Sequence, residues 1–382
     1  MVVITPFQEA AALVREAGGI ELDQCYQCGL CTGSCPWNLV REFPVRKLIH
    51  QAQLGVIDFE AEYTWLCTTC RSCVQRCPRG IDIIDIMKAM RRVVAETGIS
   101  KVPDSLWLAV SNIAGSGNPL GQPAGQRGDW ATPQRKKAKT DSGILYFPCC
   151  IPAYEPRVKK VAQATARILE AAGVDYKILP EVENCCGESV RKSGHENLFQ
   201  SLAQKNMQAF SNAGINTIIV NSPHCYDTFK KEYTALGAEF KVIHIVQYLS
   251  QLIDEGKLKF STEVKKKVAY HDSCYLARHN GIYDEPRHVL ESIPGIEIVE
   301  MSDIKENTLC CGGGGGRIWM DTRKGERFSD LRLQQAKDVN AEVLALSCPY
   351  CMLNFEDSLL DFHGSDSMQV KDIVELVCEG LS

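Results

Sequence analysis

The sequence lacks long apolar runs, a strong excess of either charge and a recognisable export signal. No apolar run approaches the ~18 residues that a membrane-spanning helix needs, so we expect no membrane span. Met1 to Gln8 hold neither a basic nor a long apolar segment, so we expect no secretory signal and a location in the cytoplasm or at the periphery of a membrane complex. The net charge of −5, from 42 basic and 47 acidic side chains, argues against nucleic acid as a partner.

Signatures of several enzyme classes are also missing. The sequence has no Walker motif and no flavin fingerprint, and no Ser–His–Asp or paired-carboxylate arrangement supports a hydrolase. A flavin, if one is used, therefore belongs to a partner chain, and no catalytic residue is assigned. The run Gly312 to Gly316 lacks the acidic residue of a dinucleotide-binding motif, so we interpret it as backbone that packs closely against a cluster.

Cysteine, by contrast, is abundant, with 19 residues among 382. An odd number of thiols cannot be fully paired within one chain. Without an export signal we expect a reducing compartment, where dense cysteine indicates metal or redox chemistry and not a disulfide scaffold.

Two runs of four cysteines, each followed by proline, occupy the N-terminal third of the chain. Both read C-x2-C-x2-C-x3-C-P, which is typical of ferredoxins with two cubane [4Fe–4S] clusters, where the fourth cysteine of each run ligates the other cluster. A pair of zinc ribbons is the alternative, but zinc sites usually combine two C-x-x-C pairs. The predicted ligands are Cys25, Cys28, Cys31 and Cys77 for cubane 1, and Cys67, Cys70, Cys73 and Cys35 for cubane 2.

The pattern of apolar residues predicts an α+β multidomain chain. Helix-like segments such as Phe43 to Leu54 and Ile83 to Val94 flank the cysteine runs and predict an α-helical ferredoxin domain over residues 1–114. Residues 115–142 are rich in glycine, proline and polar residues and predict a linker or surface strap. Short apolar runs then alternate with amphipathic stretches, which predicts α/β packing with largely parallel strands. The expected strands are Ile144–Phe147, Thr217–Val220, Val242–Ile245, Val268–Tyr270, Ile296–Val299 and Val343–Leu346.

The second half of this α/β region repeats the first. In the first module (143–262), 34 residues separate Cys150 from the pair Cys185–Cys186, and 35 separate that pair from Ser222-Pro-His-Cys225. In the second module (263–382), the corresponding gaps between Cys274, Cys310–Cys311 and Cys348-Pro-Tyr-Cys351 are 35 and 36 residues. Gaps that agree within one residue indicate two tandem copies of one module, with thiols at strand ends where open α/β sheets bind ligands.

One cysteine, a Cys-Cys-Gly triplet and a C-x-x-C pair together resemble the cysteine-rich CCG domain, two of which form the catalytic subunit of heterodisulfide reductase. The doubled ferredoxin motif resembles that enzyme's small electron-transfer subunit, so the chain looks like the fused form. In that family each complete CCG motif holds a noncubane [4Fe–4S] cluster through five thiolates, and the two clusters face a cavity where a disulfide is reduced. The resemblance implies one noncubane cluster on the second-module ligands Cys274, Cys310, Cys311, Cys348 and Cys351.

The first module departs from this pattern because Ser222 replaces one thiol. A neutral hydroxyl is a much poorer ligand for iron than a thiolate. Cys149 could supply the missing thiolate; alternatively, Cys150, Cys185, Cys186 and Cys225 could hold zinc or a modified iron–sulfur cluster, or the site could be empty and structural. We favour a retained but altered metal site, either a second noncubane cluster or zinc.

Other polar residues near the cysteines are candidates for supporting roles. His271, Asp272 and Arg278 flank Cys274 and either tune its cluster by hydrogen bonding or are ordinary polar residues at a strand end. His224 matches the variable position of the C-x-x-C pair and is a weaker ligand candidate. No other cysteine lies at ligand spacing from Cys378, which is expected to be a packed thiol.

The resemblance implies an iron–sulfur oxidoreductase subunit. Electrons would enter the two cubanes from a flavin- or iron–sulfur-containing partner within a hetero-oligomeric complex, pass to the noncubane cluster and reduce a disulfide or another partner. The alternative is a non-catalytic relay in a bifurcating or benzoyl-coenzyme A reductase-type complex, or in a system linked to an electron-transfer flavoprotein or a quinone. Ser222 gives weight to the relay, because it puts two-cluster disulfide cleavage in doubt.

Overall fold

The structure, a computed structural model, describes residues 7–137, 140–362 and 368–381. The start of the predicted ferredoxin domain (1–6), two residues of the predicted linker (138 and 139) and parts of the second module (363–367 and 382) lie outside the described residues.

The N-terminal region is helical and folds around the two cysteine runs. Its longest helix, α6, begins at Asp82, whose carboxylate accepts hydrogen bonds from the backbone N–H groups of Ile84 and Asp85. Met87 and Met90 on this helix are buried, as expected for core residues. The helices are α1 (Gln8–Glu16), α2 (Leu30–Gly33), α3 (Val45–Leu54), α4 (Tyr63–Leu66), α5 (Ser72–Gln75), α6 (Ile83–Thr97) and α7 (Asp104–Ser116).

The first module is built on a three-stranded parallel sheet in the order β1-β2-β3. A short helix, α8 (Pro133–Lys137), precedes it, and Trp130 of the same segment packs edge-on against Tyr146, with ring centroids 5.2 Å apart. The predicted linker therefore lies against this module. The elements are β1 (Ile144–Phe147), α9 (Cys150–Tyr154), α10 (Lys159–Ala171), α11 (Glu188–Lys192), α12 (Glu196–Asn212), β2 (Thr217–Val220), α13 (Pro223–Asp227), β3 (Lys241–His244) and α14 (Ile245–Asp254).

The second module contains a four-stranded parallel sheet in the order β5-β4-β6-β7. Its central strand β6 is buried throughout, as expected for a parallel sheet covered on both faces. The elements are β4 (Lys266–Tyr270), α15 (Asp284–Glu291), β5 (Ile296–Ile298), α16 (Phe328–Asp338), β6 (Val343–Leu346), α17 (Pro349–Asp361), β7 (Gln369–Asp372) and α18 (Ile373–Leu381).

Two apolar cores hold the chain together, and neither is confined to one predicted domain. The larger core runs continuously through both α/β modules. The smaller core belongs to the helical region but also includes Cys274, Tyr275, Cys310 and Phe328 of the second module. The helical region is thus packed directly against the cysteine-bearing edge of the second module.

Candidate iron–sulfur sites

Each run of four cysteines contributes to two separate cavities in the helical region. One cavity, with about 360 Å³ of space, is lined by Cys25, Cys28, Cys31 and Cys77, and the other, with about 370 Å³, by Cys35, Cys67, Cys70 and Cys73. The fourth cysteine of each run therefore lies with the first three of the other run. This is the arrangement that the crossed ligand assignment requires.

The two cysteine loops repeat the same backbone turns. Gln27 and Gly29 in the first loop, and Thr69 and Arg71 at the matching places in the second, all have φ between 51° and 88°. This left-handed region is uncommon for residues other than glycine, and here it curls each loop so that its cysteines face one cavity. The N–H group of Thr69 also donates to the sulfur of Cys67 at 3.4 Å.

The donor chemistry of the cubane 2 cavity fits an iron–sulfur cluster. Contact with Cys310 and burial hold the pKa of Cys70 well above its ordinary value, and burial does the same for the pKa of Cys73. The protein alone therefore does not stabilise these thiolates. A bound cationic metal centre would supply the missing stabilisation, because metal binding requires and favours deprotonated thiols.

In the second module, the five predicted cysteines form one continuous set of thiol contacts. Cys274 contacts Cys310, Cys311 contacts Cys351, and Cys351 contacts Cys348, while Cys310 and Cys311 are adjacent in the chain. All five are buried. Although burial opposes it, hydrogen bonds from Cys351 and His224 lower the pKa of Cys348 to about 5, so this thiol is already a thiolate at neutral pH.

His271 lies closer to these thiols than its expected supporting role required. One ring nitrogen of His271 and the sulfur atoms of Cys311 and Cys351 all lie within 4.8 Å of one another. Arg332 Nε donates to Nδ1 of His271 at 3.4 Å, and Nε2 has no hydrogen-bond partner among the described residues. Burial, reinforced by Arg332, lowers the histidine's pKa far below its usual value, so the ring is neutral and Nε2 is free to accept or to ligate.

The other flanking residues have structural partners. Asp272 forms a two-point ion pair with Arg287 at 2.8 and 3.0 Å. Arg278 donates from Nε to the carbonyl of Cys70 at 2.7 Å and from Nη1 to the carbonyl of Thr308 at 2.6 Å. Arg278 thus links the second module to the cubane 2 loop.

The cubane 2 cavity and the second-module thiols are in direct contact. The thiols of Cys70 and Cys310 are within hydrogen-bonding reach, and Cys310 Sγ also lies 3.9 Å from Thr68 Oγ1. Next to this contact, the hydroxyl groups of Thr69 and Tyr275 are 2.7 Å apart. The two candidate sites therefore share a boundary made of their own ligands.

The glycine run packs against the same cubane 2 loop. A Cβ atom on Gly314 would lie 2.2 Å from the carbonyl oxygen of Thr68, and one on Gly315 would lie 2.4 Å from that of Cys67. No side chain fits at such distances. The interpretation of this run as close-packing backbone is confirmed, and the surface that it meets is the cubane 2 loop.

We expect Gly314→Ala to lower the free energy of unfolding by about 1–3 kcal/mol, the usual cost of overpacking. The displaced cubane 2 loop should also slow electron transfer into the second module, measured by following cluster reduction after rapid mixing. Gly115→Ala is the matched control, because a Cβ there meets no atom within 4 Å and alanine favours the helix. Equal stability of the two variants would contradict this account of the glycine run.

In the first module, four cysteines lie together as predicted. Cys150 contacts Cys185, and Cys186 Sγ lies 3.4 Å from Cys225 Sγ. Cys149, buried at the end of β1, also contacts the thiol of Cys225. Hydrogen bonds from Cys185 and Cys225 lower the pKa of Cys186 to about 7.

Arg127 was missed by sequence reasoning because it lies in the predicted linker. Its guanidinium is buried, pairs with Glu183 at 2.8 Å and donates from Nη1 to Cys150 Sγ at 3.5 Å. A buried cation suits a site of several thiolates. The only sequence signal is a basic residue in a polar stretch, which does not distinguish it from its neighbours.

His224 is directed away from the first-module thiols and towards the second module. Its ring lies between those of Tyr275 and Tyr350, with centroids 4.0 and 4.4 Å away. Nδ1 bonds Glu188 at 3.0 Å, and the ring also reaches Cys348. Burial lowers the pKa of His224, but Glu188 and Cys348 outweigh it and raise the pKa to about 10. The space between the two modules is therefore filled by buried side chains.

Among residues 7–137, 140–362 and 368–381, no helix combines the length and apolarity that crossing a bilayer demands.

Comparison with known families matches the cysteine-bearing regions. The profile of the 4Fe-4S dicluster domain matches residues 21–81, and that of the cysteine-rich domain CCG matches residues 144–230 and 268–356. These matches establish an iron–sulfur protein with a ferredoxin-type domain and two CCG repeats, and so confirm the predicted fold class.

Curated relatives are similar over most of the chain. The iron–sulfur relative from Methanosarcina barkeri, a component of its dihydromethanophenazine:CoB–CoM heterodisulfide reductase, is 30% identical over 95% of this chain and 94% of its own length. The probable iron–sulfur-binding oxidoreductase FadF of Bacillus subtilis is 34% identical over 84% of this chain, and the EtfAB:quinone oxidoreductase of Syntrophomonas wolfei is 30% identical over 95%. The chain spans only 47% and 58% of the lengths of the latter two relatives.

Proposed function

We propose that this chain, which belongs to the heterodisulfide reductase family of iron–sulfur proteins, carries electrons through two cubane [4Fe–4S] clusters to a noncubane [4Fe–4S] cluster in its second module. An oxidoreductase-type role in electron transfer follows from the family itself. The finer proposal is supported above all by the contact between Cys70 and Cys310, which joins the cubane 2 cavity to the second-module thiols. The proposed ligands remain those predicted from the sequence.

The clusters, when bound, supply one-electron chemistry, and the chain positions and shields them. The N–H groups of Thr69 and Gly312 donate to the sulfurs of Cys67 and Cys310, at 3.4 and 3.3 Å. Such hydrogen bonds are one way in which proteins tune cluster potentials. Burial of the second-module cysteines keeps water away from the proposed noncubane cluster.

Electrons would leave at Cys311, where a cavity opens between the helical region and the second module. It encloses about 930 Å³, counting its open mouth, and its lining includes Trp37, Arg317, Arg327 and Asn354. Disulfide reduction, as named for the Methanosarcina relative, is the second candidate function, and the access to Cys311 favours it. The filled space between the modules, where His224 lies between two tyrosines, favours a relay to a partner protein.

The two functions are tested with the anaerobically purified holoprotein. Reduced electron-transfer flavoprotein, a donor suggested by the Syntrophomonas relative, should reduce the clusters, as measured by electron paramagnetic resonance after rapid mixing. The CoB–CoM heterodisulfide is then added as the acceptor. Reoxidation by the heterodisulfide would establish disulfide reduction, and its absence would leave the relay. Failure of every donor to reduce a second-module cluster would overturn the proposed electron path.

A further inference from the structure

We infer that Cys149 takes the place of the thiolate missing at Ser222, so that the first module holds its own iron–sulfur cluster. Its five ligands would be Cys149, Cys150, Cys185, Cys186 and Cys225. The inference shares with the proposed function only the type of cluster, and it does not depend on the direction of electron flow.

The five thiols form a continuous set of contacts like that of the second module. Cys150 contacts Cys185, which adjoins Cys186, and Cys186 lies 3.4 Å from Cys225. Cys149 completes the set through its contact with Cys225. In the second module, Cys351 at the matching position likewise contacts its fifth thiol, in that case Cys348.

Comparison of the two repeats shows a reciprocal exchange of serine and cysteine. The residue before the first cysteine is Ser273 in the second module and Cys149 in the first. Ser273 Oγ lies 3.6 Å from Cys351 Sγ, so this position is already within reach of the site. The first module therefore keeps five thiols, with one of them moved to a position from which the second module shows that the site can be reached.

Ser222 shows no sign of serving as a ligand or as a structural replacement. It is fully buried, and its Oγ has no hydrogen-bond partner within the described part of the chain. Leaving a buried hydroxyl unbonded is unfavourable. This orphan atom lies where the second module has Cys348, which indicates that the position is shaped for a thiol of the same site.

The backbone at Cys149 has a conformation that few residues other than glycine adopt. Its φ is 78° and its ψ is 162°. The conformation directs the thiol inward, where only 4% of the residue is exposed. A tetrahedral zinc site needs four thiolates, so a fifth thiol in contact with the others favours an iron–sulfur cluster.

The test compares the metal content of anaerobically purified variants. Cys149→Ser, which installs the residue of the second module, should lose about four irons while keeping the irons of the other sites. The double variant Cys149→Ser with Ser222→Cys should recover them, because it restores the arrangement of the second module. Mössbauer spectroscopy of ⁵⁷Fe-labelled protein identifies the cluster that is lost.

Two further variants serve as controls. Ser222→Ala should keep the full iron content, since an orphan hydroxyl is not a ligand. Cys348→Ser should remove a different set of about four irons, those of the second module, so failure of the proposed function is recognised separately. Full iron content in Cys149→Ser, loss of metal in Ser222→Ala, or one zinc in place of the first-module irons would each overturn the inference.

Discussion

Cys35→Ala is expected to remove about four irons and to cut the electron path into the second module, whereas Cys77→Ala removes about four irons and leaves that path intact. The reason is the crossed arrangement of the cavities. Cys35 lines the cavity of Cys70, which contacts Cys310, and Cys77 lines the other cavity. Loss of Cys35 therefore removes the cluster that adjoins the second module.

The measurement is reduction by dithionite followed by electron paramagnetic resonance and by the rate at which a second-module cluster is reduced. The two variants are matched, since each removes the fourth cysteine of a run. If each fourth cysteine served its own run, the results would be exchanged, because loss of Cys77 would then interrupt the path. Cys378→Ala, which alters a cysteine lining neither cavity, should keep all the irons.

Much of this architecture can be read from the sequence, because cysteine spacing and strand periodicity are local. The strands Ile144–Phe147, Thr217–Val220 and Val343–Leu346 lie at their predicted positions. The strand predicted over Val242–Ile245 begins one residue earlier, at Lys241, because His244 ends it and starts the capping of α14. Strand β7 was not predicted; its Gln-Val-Lys-Asp sequence shows only one apolar residue.

What the sequence does not contain is the way in which distant segments meet. Nothing local indicates that Cys310 would lie beside Cys70, or that His224 would reach Cys348 and not its own module's thiols. The same holds for Arg127, whose role comes from a partner 56 positions away, Glu183. These contacts depend on the packing of the helical region and two modules together, which no periodic pattern encodes.

Arg91→Met is expected to lower the free energy of unfolding by about 3–5 kcal/mol, among the largest effects of a single substitution. Arg91 is fully buried and donates to the carbonyls of Thr64, Cys67, Lys192 and Gly315, at 2.8, 2.8, 3.1 and 2.7 Å. Methionine preserves much of the volume but leaves these four acceptors without their donor. Burial lowers the pKa of Arg91, so the site holds the charge at a cost that these hydrogen bonds offset.

Arg92→Met provides the matched control, because its neighbouring guanidinium pairs with Glu196 near the surface and should change stability by at most about 1 kcal/mol. Urea unfolding under anaerobic conditions compares the two variants. Arg91 joins the cubane 2 loop to both modules at once, through Lys192 and Gly315. Its loss should therefore also slow electron transfer from cubane 2 to the second module in the folded protein. A variant as stable as Arg92→Met and as fast as the parent would show that the domains are held in register by the apolar cores alone.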